Sequence, residues 1–150
     1  ALVASGETID LGAGNDKLVK NGTGSVANST TTVIDGGAGI DSLDAALVTV
    51  GNAGVFANFE TLSLTTTGAN LDLDLLKKST ITTIAIDGAA TSTVRNVSTS
   101  QSLAVNVAAT TTTLLFKNVA FLLILINSLI RMKKMRHNGY IMKHFRMKNK

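Results

Sequence analysis

Two short stretches hold most of the chemistry that this chain's residue types allow. From Gly36 onward, Asp35-Gly36-Gly37-Ala38-Gly39-Ile40-Asp41-Ser42-Leu43 fits the nonapeptide Gly-Gly-x-Gly-x-Asp-x-U-x, in which U is a large apolar residue. Asp10-Leu11-Gly12-Ala13-Gly14-Asn15-Asp16-Lys17-Leu18 repeats the pattern with one departure, Leu11 in place of the first glycine. Closely spaced glycines let the backbone take φ > 0 and turn its carbonyl oxygens inward, which a Cβ resists. The aspartate at the end of each stretch adds a carboxylate. A donor set made only of oxygens suits calcium, a hard cation that takes six to eight oxygens at roughly 2.3–2.6 Å. The candidate metal-binding residues are therefore Gly12, Gly14, Asp16, Gly37, Gly39 and Asp41. The bland alternative is a pair of ordinary glycine turns, and the shared order of Gly, Gly and Asp argues against it. Asp10 and Asp35 precede the loops at equivalent positions and are expected to cap the turns, because Asp hydrogen-bonds its own turn.

A single loop surrounds only part of an ion, so the two are expected to stack on successive coils of a β-structure. Asp16 and Asp41 lie 25 positions apart (41 − 16), which is not a multiple of nine. Stacking then requires the segment between Val19 and Thr31 to leave the coil as an enlarged excursion. Residues 20–30, rich in Gly, Asn, Ser and Thr without apolar periodicity, suit a surface loop.

The elements that would carry such loops are strands. Leu62/Leu64, Leu71/Leu73/Leu75, Ile84/Ile86 and Leu103/Val105/Val107 each alternate with polar or small residues, the period-two mark of a strand with one buried face. Asp72 and Asp74 share the other face of one such stretch and are expected to be solvated, not a catalytic pair. Leu62 to Ile84 spans 22 residues (84 − 62) and Ile84 to Val105 spans 21 (105 − 84), a recurrence that suits stacked coils with threonine ladders outside. The expected fold class is all-β, a β-roll or parallel β-solenoid with calcium loops, preferred over a β-sandwich.

Other chemistry is poorly supported. The chain has no cysteine, which excludes disulfides and thiolate metal sites. His137 and His144 are its only histidines, and both fall in an atypical tail. The Gly36–Gly39 stretch lacks the Lys-Ser/Thr pair of a nucleotide loop. Glu60 is read as the start of a strand. No catalytic constellation is present in the body of the chain, so no enzymatic activity is expected. Three formal glycosylation sequons, at Asn21, Asn28 and Asn96, match what chance gives in an Asn- and Thr-rich sequence.

The net charge of +4 joins two opposite halves. Residues 1–113 hold all ten acids against five bases, and residues 114–150 hold nine bases and no acid. The whole-chain value therefore describes neither half, and nucleic acid is not an expected partner; few aromatics are present for base stacking. The domains expected are 1–113, a calcium-binding β-solenoid segment, and 114–150, an apolar and basic tail for which helix, disorder and frameshifted sequence are the open readings. The apolar run Val119 to Ile130 is shorter than the ~20 residues that span a bilayer as a helix. An amphipathic or basic membrane anchor is one explanation. The abrupt loss of Thr, Gly and Asp favours another, a change of reading frame. The chain starts at Ala1 without a signal-peptide pattern, which fits a fragment of a longer protein.

The paired Gly-Asp stretches resemble the repeats-in-toxin (RTX) calcium nonapeptides of bacterial proteins exported by type I secretion. Asn58-Phe59-Glu60-Thr61-Leu62-Ser63-Leu64 resembles a strand common in RTX-bearing surface-layer proteins. The likeness covers roughly Ser5 to Thr113. It implies a secreted, cell-surface protein that binds calcium and self-associates into a surface lattice, on an envelope component the sequence does not identify. The alternative it leaves open is the C-terminal calcium-binding module of a secreted enzyme or an adhesin.

Overall fold

The computed structural model describes residues 3–65, 69–88, 91–107 and 111–117, all within one compact unit, Ala1–Lys117. Its strands are short: β1 Thr8–Asp10, β2 Lys17–Leu18, β3 Val33–Asp35, β4 Ser42–Asp44, β5 Phe56–Ala57, β6 Thr61–Leu64, β7 Asn70–Asp72, β8 Thr83–Ile86, β9 Ser92–Val97, β10 Ser102–Val105 and β11 Thr112–Phe116. They form three sheets in the orders β1-β3-β5, β10-β8-β6-β4-β2 and β11-β9-β7. Every pairing among them is parallel and joins a strand to its counterpart one coil away. The chain is thus an all-β parallel solenoid, as its alternation and recurrence indicate. No helix among the described residues is long and apolar enough to cross a membrane.

Period-two patterning positions the core. In the central sheet Leu18, Leu43, Leu62, Ile84 and Leu103 fall in one register column. Leu43, Leu62 and Ile84 are buried in its middle, while Leu103 at its end is 50% exposed. Burying one such side chain contributes roughly 1.5–3 kcal/mol, so the column stabilises each coil only where a neighbour covers it. The alternate positions Ser42, Thr61, Thr83 and Ser102 form a hydroxyl ladder down the other face. Phe56 and Phe59 fill the interior with rings edge to face, centroids 6.4 Å apart.

Three expectations need correction. The alternation at Leu71/Leu73/Leu75 is not one strand: β7 ends at Asp72, and Leu73–Leu75 form a 3-10 turn. Asp72 causes the switch, since its Oδ1 accepts the Asp74 N–H at 2.9 Å and the Asn96 side-chain amide at 2.7 Å. Those bonds, Asn96 foremost, hold its carboxyl below the usual range. The register also differs from the sequence spacing. Val105 pairs with Ile86, and Ile84 with Leu103, so the step is 19 residues (103 − 84), shorter than the sequence recurrence. The third is burial: Leu103 and Val105 are exposed, because β8 is the single sheet neighbour of β10 among the described residues.

The excursion over residues 20–30 is mostly exposed, but Val26 returns to the core and bridges Val3 in parallel. The buried Asn52 holds it there, donating from Nδ2 to the carbonyls of Val26 and Leu47 at 3.1 and 3.0 Å. β11 runs across residues 113 and 114 to Phe116, so the compositional change at Leu114 falls inside a strand. The readings offered for the rest of the tail, 118–150, lie outside the described residues.

Candidate metal centre

The two Gly-Asp loops stack directly on one another. Each connects the first sheet to the central one, and parallel pairing of Asp10 with Asp35 and of Lys17 with Ser42 pins both ends. Between those ends Ala13 bridges Ala38, with the Ala38 N–H donating to the Gly12 carbonyl and the Gly14 N–H to the Ala38 carbonyl, both at 2.8 Å. The Ile40 N–H donates to Asn15 Oδ1 at 2.9 Å. The excursion that the 25-residue spacing demands is therefore what lets the loops meet.

Gly37 and Gly39 show why glycine is needed. Their φ values are +89° and +148°, against +92° and +132° at Gly12 and Gly14, all in the region that L side chains avoid. A Cβ on Gly37 would also collide with the Gly12 carbonyl oxygen, and one on Gly39 with that of Gly14. The backbones of the two loops are in contact, with no room for side chains between them.

The first glycine of the pattern has a different reason. Gly36 does not take positive φ; a Cβ there would strike the Asn58 carbonyl and lie 2.9 Å from Asp41 Oδ2. Leu11, its counterpart, likewise stays out of the positive-φ region and packs against the core. The departure from the nonapeptide therefore does not disturb the first loop. Asp10 and Asp35 cap their turns, each Oδ1 accepting an N–H two residues on, from Gly12 and Gly37, at 2.9 Å. Asp35 Oδ1 also accepts from Asn58 Nδ2 at 2.7 Å.

Asp16 and Asp41 come together. Asp41 Oδ1 accepts the Asp16 N–H at 2.7 Å, and the Ser42 N–H donates to the Asp16 carbonyl at 2.8 Å. Asp41 is fully buried, and its Oδ2 and that of Asp16 are buried atoms without a hydrogen-bond partner among the described residues. A carboxylate oxygen taken from water without compensation is costly, several kcal/mol after relaxation. No group of three or more His, Cys, Asp or Glu side chains among the described residues could hold a metal. Asp16 and Asp41 offer carboxylate oxygens alone, hard donors of the kind calcium takes, whereas transition metals favour nitrogen or sulfur ligands. The Gly12, Ala38 and Asp16 carbonyls are engaged in hydrogen bonds between the loops.

One residue of this neighbourhood escaped the sequence reading. Glu60, read there as the start of a strand, immediately precedes β6, and its Oε2 accepts the Asp41 N–H at 2.8 Å. The sequence shows only an acid ahead of the Leu62/Leu64 alternation; that it stands where Asp16 and Asp41 do, just before a central-sheet strand, follows from the pairing of the coils. Compared with protein-family models, curated proteins and solved structures, the chain gives no match in any of the three.

Proposed function

We propose that this chain is a calcium-stabilised structural segment of a secreted, RTX-type bacterial surface protein, without catalysis of its own. One observation carries the reading: a fully buried aspartate, Asp41, with a carboxylate oxygen that has no partner among the described residues, beside two glycine loops in backbone contact. Gly12, Gly14, Asp16, Gly37, Gly39 and Asp41 would hold the ion. Bound calcium would supply the positive charge that lets the Asp16 and Asp41 carboxylates remain together inside the fold.

The rest of the mechanism belongs to the chain. Asp10 and Asp35 close the turns, the four glycines take the positive φ of the loops, Gly37 and Gly39 let the backbones meet, and the hydroxyl ladder and apolar column carry that register into the central sheet. An ion whose ligands are gathered only by folding turns its binding energy into folding energy. Extracellular calcium modules typically bind with Kd around 10⁻⁴–10⁻³ M, weak enough to leave such a segment unloaded at cytoplasmic calcium levels and loaded outside the cell. Export in an unfolded state, assembly into a surface lattice and attachment to an envelope component are extensions of the same reading, supported by the sequence resemblance and compatible with a parallel solenoid.

The test is a calcium titration of the whole chain followed by circular dichroism and thermal melting, with magnesium as control. A calcium-specific gain of about 2.7 kcal/mol is expected at a hundredfold excess over Kd. An Asp16→Ala, Asp41→Ala double variant is expected to lose that gain. An equal response to magnesium, or a response that survives the double substitution, would overturn the reading.

A further inference from the structure

Glu60 stands in the register of the two loop aspartates. The central sheet aligns Lys17 with Ser42 and Ser42 with Thr61, so the residues just ahead of them, Asp16, Asp41 and Glu60, are equivalent on three successive coils. Each later carboxylate reaches back one coil. Asp41 Oδ1 takes the Asp16 N–H at 2.7 Å, and Glu60 Oε2 takes the Asp41 N–H at 2.8 Å. Glu60 also donates its own N–H to the Asp41 carbonyl at 3.1 Å, beside the Thr61 N–H at 2.9 Å. Both backbone polar groups of Asp41 are thus gripped by Glu60. The column of acids stops there: Thr82 is next in register, and its hydroxyl donates to the Glu60 carbonyl at 3.3 Å.

The connector ahead of Glu60 is shorter than the glycine loop one coil before it. Between β3 and β4 the chain runs through the whole glycine loop, residues 36–41, but between β5 and β6 only Asn58, Phe59 and Glu60 intervene. Asn58 turns the chain at φ +54° and Phe59 plunges into the core. Two successive N–H groups, those of Glu60 and Thr61, then converge on one carbonyl. The same pairing recurs one coil on, where the Thr82 and Thr83 N–H groups both donate to the Glu60 carbonyl; from the shorter connector it is the longer glutamate side chain whose carboxylate meets the Asp41 N–H.

We propose that Glu60 is a positioning residue of the calcium centre, fixing the Asp41 backbone so that its unpartnered Oδ2 stays available to the ion; this rests on the calcium reading above. Reach, not charge, is what Glu60 contributes. Glutamine keeps the acceptor at the same length, whereas aspartate keeps the charge and loses the reach.

The experiment measures calcium affinity of the whole chain by isothermal titration for wild type, Glu60→Gln, Glu60→Asp and Glu60→Ala. Amide hydrogen exchange at Asp41 in the calcium-saturated chain gives a second readout. Glu60→Gln is expected to bind within about twofold of wild type and to keep the Asp41 amide protected. Glu60→Asp and Glu60→Ala are expected to bind about tenfold more weakly, the lower end of what loss of an outer ligand-orienting contact does to metal affinity, and to lose that protection. Should Glu60→Ala fail to fold, the Gln and Asp pair decides. The opposite order, Asp like wild type and Gln impaired, would show that Glu60 acts by charge and would overturn the proposal, as would equal affinity in all four. A wild-type chain that binds no calcium overturns the calcium reading itself, and this proposal with it.

Discussion

Asp41 is the residue on which the chemistry turns, and its surroundings give it opposite effects with and without a cation. One oxygen is used structurally, accepting the Asp16 N–H, while the other is buried with no hydrogen-bond donor among the described residues. An Asp41→Asn substitution keeps the shape and the acceptor for Asp16 but removes the buried charge. In calcium-free buffer the variant is expected to be more stable than wild type by about 1 kcal/mol, since an unpaired buried charge costs at least that much. In excess calcium the order is expected to reverse, because the variant gains nothing from the ion. Urea denaturation of both proteins with calcium and with chelator checks this. A variant destabilised in both buffers would mean that the second oxygen is satisfied in a way unrelated to a cation.

At the scale of the strand, polar side chains between coils hold the register that the apolar column alone does not specify. Asp87, just past β8, accepts from the Ser63 hydroxyl one coil before it and from Asn106 Nδ2 one coil after it, the latter at 2.6 Å. Burial pushes its carboxyl up, but the bonds from Asn106 and Ser63, with Lys17 nearby, outweigh that and leave it below its ordinary value of 3.8. A depressed folded-state pKa contributes stability that is present above the unfolded value and lost as pH falls through the folded one. Asn106→Ala is therefore expected to destabilise the chain by up to about 1 kcal/mol at pH 7, the net worth of a modest hydrogen bond. The difference from wild type should shrink steadily as the pH is lowered below about 4, where the carboxyl takes up its proton. Denaturation curves between pH 7 and pH 3 read this directly; a pH-independent difference would place the role of Asn106 elsewhere than on the Asp87 charge.

Across the whole solenoid each coil is stabilised by the coils on either side of it, so the same residue type has unequal weight along one column. Leu62→Ala, in the middle of the Leu18–Leu43–Leu62–Ile84–Leu103 column, is expected to cost about 2–5 kcal/mol. Leu103→Ala, half exposed at the column's end, should stay within about 1 kcal/mol. Similar losses at the two positions in thermal melts would mean that a further layer covers β10. The sequence by itself determined the strands, through alternation at Leu62/Leu64 and Ile84/Ile86, and the two loops, through glycines whose positive φ no other residue adopts cheaply. These are local properties, set by side-chain period and backbone sterics within a few residues. What only the tertiary structure decided is non-local. The sequence spacing brought Ile84 opposite Val105, but the coils are unequal in length and the sheet pairs it with Leu103. Alternation marked Leu73 and Leu75 as strand, but Asp72 captured the Asp74 N–H and closed a 3-10 turn. Above all, Glu60 acquires its place only when the third coil lies on the second, because its partner is a backbone group 19 residues back whose N–H no local pattern reveals as unmet.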